Sequence, residues 1–327
     1  SVMAVFDAVV RPEDIQERVA RELRTKPSAD RPGQAFRIAT LSALLFSLLV
    51  LIVLLTSILI DAWPVLTERL GDFMSQGTRT SPDETGVFQG LRGTFWIAVF
   101  VAALAFPIGI SAAIYLEEYA PKNRLTNFID LNIRNLAGVP SVVYGILGFT
   151  VFVKLLNGFY PNTVDAHNGK TTVAAGLTLA VLVLPIVIIT AAEAIRAVPQ
   201  PLREAGYGVG ATHWEVIRHH VLPYAAPGIL TGTLLSLARA LGEAAPILLV
   251  GAVEGRLGSR AGFFDLSQLG EQFTAMPALI TTYAGRPGED WVAVTAAAIV
   301  VLLVVVLFAN ATAIGLRNRF ERKREGK

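Results

Sequence analysis

Residues 38–60 have the sequence IATLSALLFSLLVLIVLLTSILI, and this stretch decides the fold class of the 327-residue chain. It holds 23 residues, and none of them is charged. An α-helix of about 20 apolar residues is long enough to cross the hydrocarbon core of a bilayer. A lone strand would leave its backbone polar groups unsatisfied in lipid, so the stretch predicts a membrane-spanning helix.

Five further apolar stretches of similar length follow along the chain. They are residues 94–116, 135–153, 171–192, 224–253 and 291–316. Of the 54 charged side chains in the sequence, only Arg239 and Glu243 lie within the six stretches. We therefore predict an all-α, polytopic membrane protein with six transmembrane helices.

The composition agrees with a membrane protein and excludes several other classes. Hydrophobic residues make up 53% of the chain and charged residues only 17%, whereas an ordinary globular domain has about 25% charged residues. The formal net charge of +2 excludes a strongly basic nucleic-acid-binding chain. The sequence has no cysteine and four histidines, which excludes zinc fingers, disulfide frameworks and cysteine nucleophiles.

The distribution of Lys and Arg predicts which side of the membrane each loop faces. The N-terminal arm, the loops after spans two and four and the C-terminal tail hold 19 of these residues, and the alternate loops hold 8. Cytoplasmic segments carry the excess of Lys and Arg in membrane proteins. We therefore expect both termini and the loop 193–223 in the cytoplasm. The first apolar run follows a charged arm, so we expect no cleavable signal peptide.

The chain divides into three predicted segments. They are a cytoplasmic N-terminal arm (1–37), a six-span domain (38–316) and a basic cytoplasmic tail (317–327). Within the arm, residues 12–26 place Ile15, Val19 and Leu23 on one helical face, with acidic residues early and basic residues late. This pattern predicts an amphipathic helix, which either lies on the inner membrane surface or docks a cytoplasmic subunit.

The loop 193–223 is polar but rich in helix signals. A first short helix is expected to end at Gly208 and Gly210, because glycine favours helix ends. Thr212 and Glu215 have the spacing of a capping box and predict the start of a second short helix.

Two glycines of the same loop, Gly206 and Gly210, are one turn apart and predict a flat side that another body can approach closely. The alternative is a loop that packs only on its own membrane domain.

The residues of this loop resemble the EAA signature of bacterial ABC importer permeases. The matching positions are Glu204, Ala205, Gly206, Gly210, Leu222 and Pro223. The sequence departs from the signature at Gly206, where Ala is usual, and at His220, where Ile is usual. In that family the loop forms a coupling helix that sits in a groove of the ATP-binding subunit. The resemblance therefore implies that ATP and Mg bind to a partner subunit and that this chain holds no cofactor and is not an enzyme.

The resemblance extends from about residue 90 to residue 316. Its motifs are TFW at 94–96, YLEEYAP at 115–121, NLAGVPSVVYG at 135–145, LPIVII at 184–189 and RALGEAAP at 239–246. Together they are similar to the phosphate ABC transporter permeases of the PstA type. The related PstC-type permeases usually lack the EAAP run after the arginine of span five.

Membership of that family implies the type I ABC importer permease fold in a bacterial plasma (inner) membrane. It also implies three partners, namely a second, PstC-like permease, a PstB-like ATP-binding dimer and a PstS-like extracytoplasmic phosphate-binding protein.

Arg239 and Glu243 are the strongest candidates for a translocation path. A charge near the bilayer centre costs about 2.5–3.5 kcal/mol on insertion scales, and two opposite charges one helical turn apart can neutralise each other. A guanidinium also gives phosphate paired, charge-assisted hydrogen bonds. We predict that Arg239 contacts the anion and that Glu243 is its gate partner. The alternative is a permanent ion pair that serves packing.

Ser141 is a weaker candidate for the same path. It follows Pro140 in a Gly-Val-Pro-Ser sequence that predicts a break in the span. A helix that starts at Ser141 would offer its first backbone N–H groups to an anion. The alternative is a kink that serves packing.

Two other motifs resemble nucleotide-binding loops but lack the required context. Gly169-Lys170-Thr171 ends like a phosphate loop, but Val164 stands where that motif needs glycine. Residues 206–211 fit the dinucleotide fingerprint, but no predicted strand precedes them. We therefore predict no nucleotide site in this chain.

The sequence as a whole predicts the permease subunit of an ATP-driven inorganic phosphate importer. Four alternatives stay open. They are a permease for another oxyanion (phosphonate, sulfate or molybdate), the PstC-type partner permease, a secondary transporter or channel that works alone, and a membrane enzyme. The signature loop disfavours a stand-alone transporter, and the lack of a catalytic constellation in the spans disfavours an enzyme.

Overall fold

The computed structural model describes residues 31–159, 169–252, 262–265, 269–270 and 272–325. The amphipathic helix predicted at 12–26 lies outside these residues. The chain divides into two compact units, with the boundary between Ser57 and Ile58. Throughout the described residues the regular structure is helical, which confirms the all-α prediction.

The described residues of the first unit, 31–57, all belong to helix α1 (Arg31–Glu68). Their side chains are mostly apolar and exposed, as suits a helix surrounded by lipid. The hydroxyls of Thr40, Ser47 and Thr56 donate to backbone carbonyls three or four residues earlier. These polar groups are therefore satisfied within the helix, as a bilayer requires.

The second unit begins within α1 and contains the other described helices. In chain order they are α2 (Leu70–Ser75), α3 (Phe88–Ile114), a π turn (Tyr115–Tyr119), α4 (Arg124–Ala137), α5 (Ser141–Leu147), a π turn (Gly148–Val153), α6 (Lys154–Phe159), α7 (Thr172–Arg196), α8 (Gln200–Gly208), α9 (His213–Val216), a π turn (Ile217–Val221), α10 (Leu222–Leu241), α11 (Ala245–Val250), α12 (Met276–Ala284) and α13 (Glu289–Glu325).

Among the described residues, six helical runs are long and apolar enough to cross a membrane, in agreement with the six predicted spans. They are Pro32–Glu68, Phe88–Tyr119, Ser141–Gly158, Thr172–Arg196, His213–Leu241 and Glu289–Arg319.

Helix α7 lies at the centre of the second unit. It packs against α3 and α10, and most of its side chains are buried. A Cβ atom on Gly109 of α3 would lie only 2.6 Å from Cγ1 of Val187 in α7. Glycine therefore permits the close approach of these two helices, as small residues commonly do between membrane helices.

Helix α12 is buried within the second unit. Its side chains Met276, Leu279 and Tyr283 are fully buried, and the Tyr283 hydroxyl donates to the carbonyl of Gly86 at 2.9 Å. Its apolar side packs against α3 and α13.

The predicted span 224–253 is not one continuous helix. Helix α10 ends at Leu241, the backbone at residues 242–244 is non-helical, and α11 begins at Ala245. Glycine at position 242 weakens a helix interior. Pro246 lacks a backbone N–H and suits the first turn of a new helix. These two residues explain why the span is interrupted.

The predicted span 135–153 is interrupted in the same way. Helix α4 ends at Ala137, and Pro140 directly precedes Ser141, the first residue of α5. The membrane-crossing run therefore begins at Ser141 rather than at residue 135. The break that the Gly-Val-Pro-Ser sequence predicts is confirmed.

Candidate functional site

The intramembrane pair Arg239 and Glu243 lies across the interruption between α10 and α11. Arg239 is in the last turn of α10, and Glu243 is in the non-helical segment that follows. Arg239 Nε and Glu243 Oε1 are 3.5 Å apart, so the predicted ion pair forms. Its partners are not on one continuous helix, because the helix ends between them.

The face of α10 that carries Arg239 is open within the part of the chain that the structure describes. The side chain of Arg239 is 62% exposed and that of Glu243 is 21% exposed. Thr231 and Leu235 precede Arg239 at four-residue spacing and are also exposed. A guanidinium that faces hydrocarbon is unfavourable by about 2.5–3.5 kcal/mol on insertion scales. This face therefore suits contact with protein or water better than contact with lipid.

The structure brings the helix that starts at Ser141 against the helix that follows Glu243. Gly145 lies one turn after Ser141, and a Cβ atom on Gly145 would be 2.8 Å from Cα of Pro246. Helices α5 and α11 thus pack in close contact. The two interrupted spans meet next to the ion pair, while the predicted role of Ser141 in binding an anion stays a prediction.

The loop 193–223 forms a compact helical hairpin, which we call the interspan hairpin (residues 200–221). Helix α8 ends at Gly208, and Gly210 adopts a φ of +81°, a conformation that favours glycine. The predicted capping box is confirmed. The Glu215 N–H donates to Thr212 Oγ1 at 3.4 Å, and the Thr212 N–H donates to Glu215 Oε2 at 2.8 Å.

Gly206 and Gly210 do not share the flat outer side that the sequence predicts. Gly206 is buried, and a Cβ atom there would lie 2.9 Å from Cγ2 of Val216 and 3.3 Å from Cδ2 of His220. Gly206 therefore serves close packing within the hairpin, and its prediction as part of an open surface is wrong. A Cβ atom on Gly210 would meet open space.

The tip of the interspan hairpin presents apolar side chains to solvent. Val209 is 83% exposed, and Tyr207 and Trp214 are also exposed. The signature residues Glu204 and Ala205 are exposed on the same hairpin. Exposed apolar residues that cluster on a surface commonly mark a contact with another protein. The last signature residues, Leu222 and Pro223, form the first turn of α10 instead.

A buried ion pair attaches the hairpin to the end of α3. Arg203 Nη2 of α8 is 2.8 Å from Glu118 Oε1 in the π turn that follows α3, and the two side chains are 14% and 6% exposed. Arg203 also donates to the carbonyls of Val198 at 2.6 Å and Ile195 at 3.0 Å. Its planar guanidinium thereby connects α8, the end of α7 and the end of α3.

His213 makes a second attachment at the same π turn. Its Nε2 lies 3.0 Å from the carbonyl oxygen of Glu118, which can only accept a hydrogen bond. Its Nδ1 lies 2.6 Å from the hydroxyl of Tyr207. The imidazole also packs edge-on against the ring of Tyr119, with the ring centres 4.8 Å apart. Helix α9 is therefore also attached to the end of α3.

Comparison with known families identifies the kind of protein. A family model described as "Binding-protein-dependent transport system inner membrane component" matches residues 105–320. The chain belongs to this family. The match includes both the Arg239–Glu243 pair and the interspan hairpin. The protein is accordingly a multi-pass component of the inner membrane.

Several relatives of this inner membrane component are phosphate transport system permeases. PstA 1 of Mycobacterium tuberculosis is 33% identical over 239 residues, or 73% of this chain and 72% of that one. PstA of Mycobacterium leprae is 36% identical over 239 residues, or 72% of this chain and 71% of that one. PstC 2 of M. tuberculosis is 29% identical over 306 residues, or 88% of this chain and 92% of that one.

Among solved structures, the inner membrane component is similar to a chain of the MetNI methionine ABC transporter in an inward facing conformation. The TM-score is 0.49 and the identity 18%, with 72% of this chain and 94% of that chain covered.

The residues that attach the hairpin of this inner membrane component are not among those predicted from the sequence. Glu117 and Glu118 are adjacent acidic residues just after a predicted span, and Arg196 and Arg203 lie in a loop predicted on the same side. In the structure Arg196 pairs with Glu117, its Nε donating to Oε2 at 3.2 Å. This charge complementarity between two loops is a signal that was present in the sequence.

Proposed function

We propose that this chain is the PstA-type permease subunit of an ATP-driven importer of inorganic phosphate. Its identity to phosphate transport system permeases over nearly three quarters of the chain supports the substrate. In the proposed assembly the chain forms the translocation path together with a second, PstC-like permease. A PstB-like ATP-binding dimer drives the cycle, and a PstS-like extracytoplasmic protein delivers phosphate.

The observation that carries this proposal is the exposed Arg239 on the face of a membrane span. Its side chain is 62% exposed although the helical run that contains α10 is apolar enough to cross a bilayer. A second permease on this face would exclude lipid from Arg239 and enclose a polar path. Within such a path the guanidinium offers phosphate two parallel, charge-assisted hydrogen bonds.

Glu243 is the proposed gate partner of Arg239. The 3.5 Å between Arg239 Nε and Glu243 Oε1 exceeds the usual range of about 2.7–3.2 Å for a hydrogen bond. A pair held this loosely neutralises the guanidinium between transport events and gives way when a phosphate arrives. Ser141 is a second candidate for the path, because its helix packs against the helix that follows Glu243.

The interspan hairpin is the proposed coupling element. Its exposed Glu204, Ala205 and Gly210, together with the apolar tip at Val209 and Trp214, offer a surface for the ATP-binding subunit. ATP and Mg would bind in that subunit, so that this chain contributes coupling and a path but no catalysis. The Lys and Arg distribution supports a cytoplasmic position for the hairpin and for both termini.

The proposal is tested by assembling the chain with tagged candidate partners in proteoliposomes. The expected result is co-purification of all four kinds of subunit and ATP hydrolysis that rises when phosphate and the receptor are added. A chain that transports phosphate in liposomes without ATP or partners would instead be a stand-alone transporter, and the proposal would be wrong.

Competition by other anions tests the substrate separately. A guanidinium also binds sulfate, molybdate and phosphonate, so Arg239 alone does not select phosphate. We expect excess unlabelled phosphate to suppress uptake of labelled phosphate, and equal amounts of sulfate or molybdate to leave it unchanged. Stimulation of hydrolysis by one of those anions in place of phosphate would reassign the substrate.

A further inference from the structure

Glu118 and Arg203 join three elements of the second unit at one guanidinium. Glu118 lies in the π turn that continues α3, and Arg203 lies in α8 of the interspan hairpin. The other donors of Arg203 bind the carbonyls of Ile195 and Val198 at the end of α7. Two membrane spans and the hairpin therefore meet at this residue.

The Glu118–Arg203 pair is more deeply buried than the neighbouring ion pairs. In the nearby pairs Glu117–Arg196 and Asp130–Arg134, at least one side chain is exposed. Water and salt weaken an exposed pair, whereas the loss of one partner from a buried pair leaves an uncompensated charge. The Glu118–Arg203 pair is therefore the firmest of these electrostatic links at this end of the molecule.

The backbone around the pair departs from regular α-helix on both sides of the hairpin. The π turn Tyr115–Tyr119 ends the run of α3, and the π turn Ile217–Val221 leads into α10. The amide of Ala120 bonds to the carbonyl of Tyr115, five residues earlier, at 2.8 Å. Such π turns within helices are frequent at functional sites. Both spans thus have an irregular turn where the hairpin is attached.

We propose that the Glu118–Arg203 pair is the joint that makes the end of α3 move together with the interspan hairpin. The inference rests on the proposed coupling role of the hairpin. A displacement of α8 by the ATP-binding subunit pulls on Glu118 through Arg203, and His213 holds the backbone of the same turn. Glu118 and Arg203 are positioning residues that transmit movement and do not touch the substrate.

The first test replaces Glu118 by Gln in the reconstituted complex and measures phosphate taken up per ATP hydrolysed. Coupling energies of the usual size predict a fall of about tenfold in this ratio, while receptor-stimulated hydrolysis persists. The matched control is Asp130→Asn, which makes the same chemical change in a pair that does not touch the hairpin. An unchanged ratio in E118Q, or an equal fall in D130N, would overturn the proposal.

The second test restores the joint by a covalent link. The chain has no native cysteine, so Glu118→Cys combined with Arg203→Cys places its only two thiols at the joint. We expect a low ratio of uptake to hydrolysis before treatment and recovery after a short bis-maleimide is added, because each cysteine thiol adds across one maleimide double bond. Each single cysteine variant should show no recovery. Failure of the cross-linked complex to recover, or loss of assembly in this variant and in E118Q alike, would overturn the proposal.

The unmodified complex distinguishes this inference from the proposed function. If that complex shows neither phosphate-stimulated hydrolysis nor uptake, the proposed function is wrong. If the unmodified complex shows both activities and the variants of Glu118 and Arg203 have the same ratio of uptake to hydrolysis, the proposed function stands and only the proposal of a joint is wrong.

Discussion

Two of the ion pairs, Glu118–Arg203 and Arg239–Glu243, differ in what completes them. Glu118 and Arg203 are shielded by the chain itself, and the spare donors of Arg203 bind backbone carbonyls. Arg239 and Glu243 are held more loosely, and the guanidinium is left open on a span. We call Glu118–Arg203 the closed pair, because its hydrogen-bond partners all lie within this chain, and Arg239–Glu243 the open pair. An exposed charged side chain on a membrane helix requires contact with a second protein or with water, because its contact with lipid is unfavourable.

Two glycines of the hairpin also differ in whether the chain itself encloses them. Gly206 is closed in by Val216 and His220, so its lack of a side chain serves the internal packing of the hairpin. Gly210 faces open space and has a left-handed backbone. Both glycines lie in the signature loop, yet only Gly210 is available to a partner.

The largest expected effect is on stability, from removal of one partner of the closed pair. Glu118→Ala leaves Arg203 buried and uncompensated, and we expect it to lower the free energy of unfolding by about 3–5 kcal/mol. Glu243→Ala removes the matching carboxylate from the open pair, which should cost less than about 1 kcal/mol in the isolated chain. Thermal unfolding of the purified chain in detergent measures both. Equal losses for the two variants would show that the pairs do not differ as described.

The open pair should show the larger effect on transport. Arg239→Gln removes charge-assisted hydrogen bonds worth about 1.5–3 kcal/mol, which corresponds to a loss of uptake of about 10- to 100-fold. Assembly of the subunits should be unaffected. Arg239→Lys keeps the charge but loses the planar fork, so it is expected to retain part of the uptake. Normal phosphate uptake by R239Q would remove Arg239 from the path.

The spans were predictable because a membrane helix is a local feature of composition and length. The interruption at residues 242–244 was also visible in principle, since Gly242 and Pro246 are both unfavourable inside a helix. Residues 224–253 were nevertheless predicted as one helix, because the stretch is apolar over a length that suits a single span. The break before Ser141, in contrast, was predicted correctly from Pro140.

The contacts of the hairpin depend on tertiary structure and were not predictable from spacing. Glu118 and Arg203 are 85 residues apart in the chain, and only the packing of α3 beside α7 brings them together. The sequence likewise gives no sign of which glycine faces inward. Charge complementarity between two loops on the same predicted side suggests an attachment, but it does not specify the partners.

Gly210 provides a test of the open side of the hairpin. Gly210→Leu adds a side chain where the ATP-binding subunit is proposed to dock, and overpacking of an interface costs about 1–3 kcal/mol. We expect phosphate-stimulated hydrolysis to fall while phosphate binding by the receptor is retained. Gly288 also has a positive φ, of +119°, so Gly288→Leu imposes comparable backbone strain away from the hairpin. If G288L and G210L reduce stimulated hydrolysis equally, strain rather than docking is the cause.

The smallest expected effect concerns the N-cap of α9, which Thr212 and Glu215 of the interspan hairpin form. Thr212→Ala removes the acceptor for the Glu215 N–H at the start of α9, and the loss of such a cap costs about 1 kcal/mol. Amide hydrogen exchange in residues 213–217 should accelerate by about fivefold. Thr212→Ser keeps the hydroxyl and should exchange at the original rate. Because the attachments of Arg203 and His213 do not involve this hydroxyl, the unfolding temperature should change far less than in Glu118→Ala. A comparable drop would mean that the cap and the buried pair act as one unit.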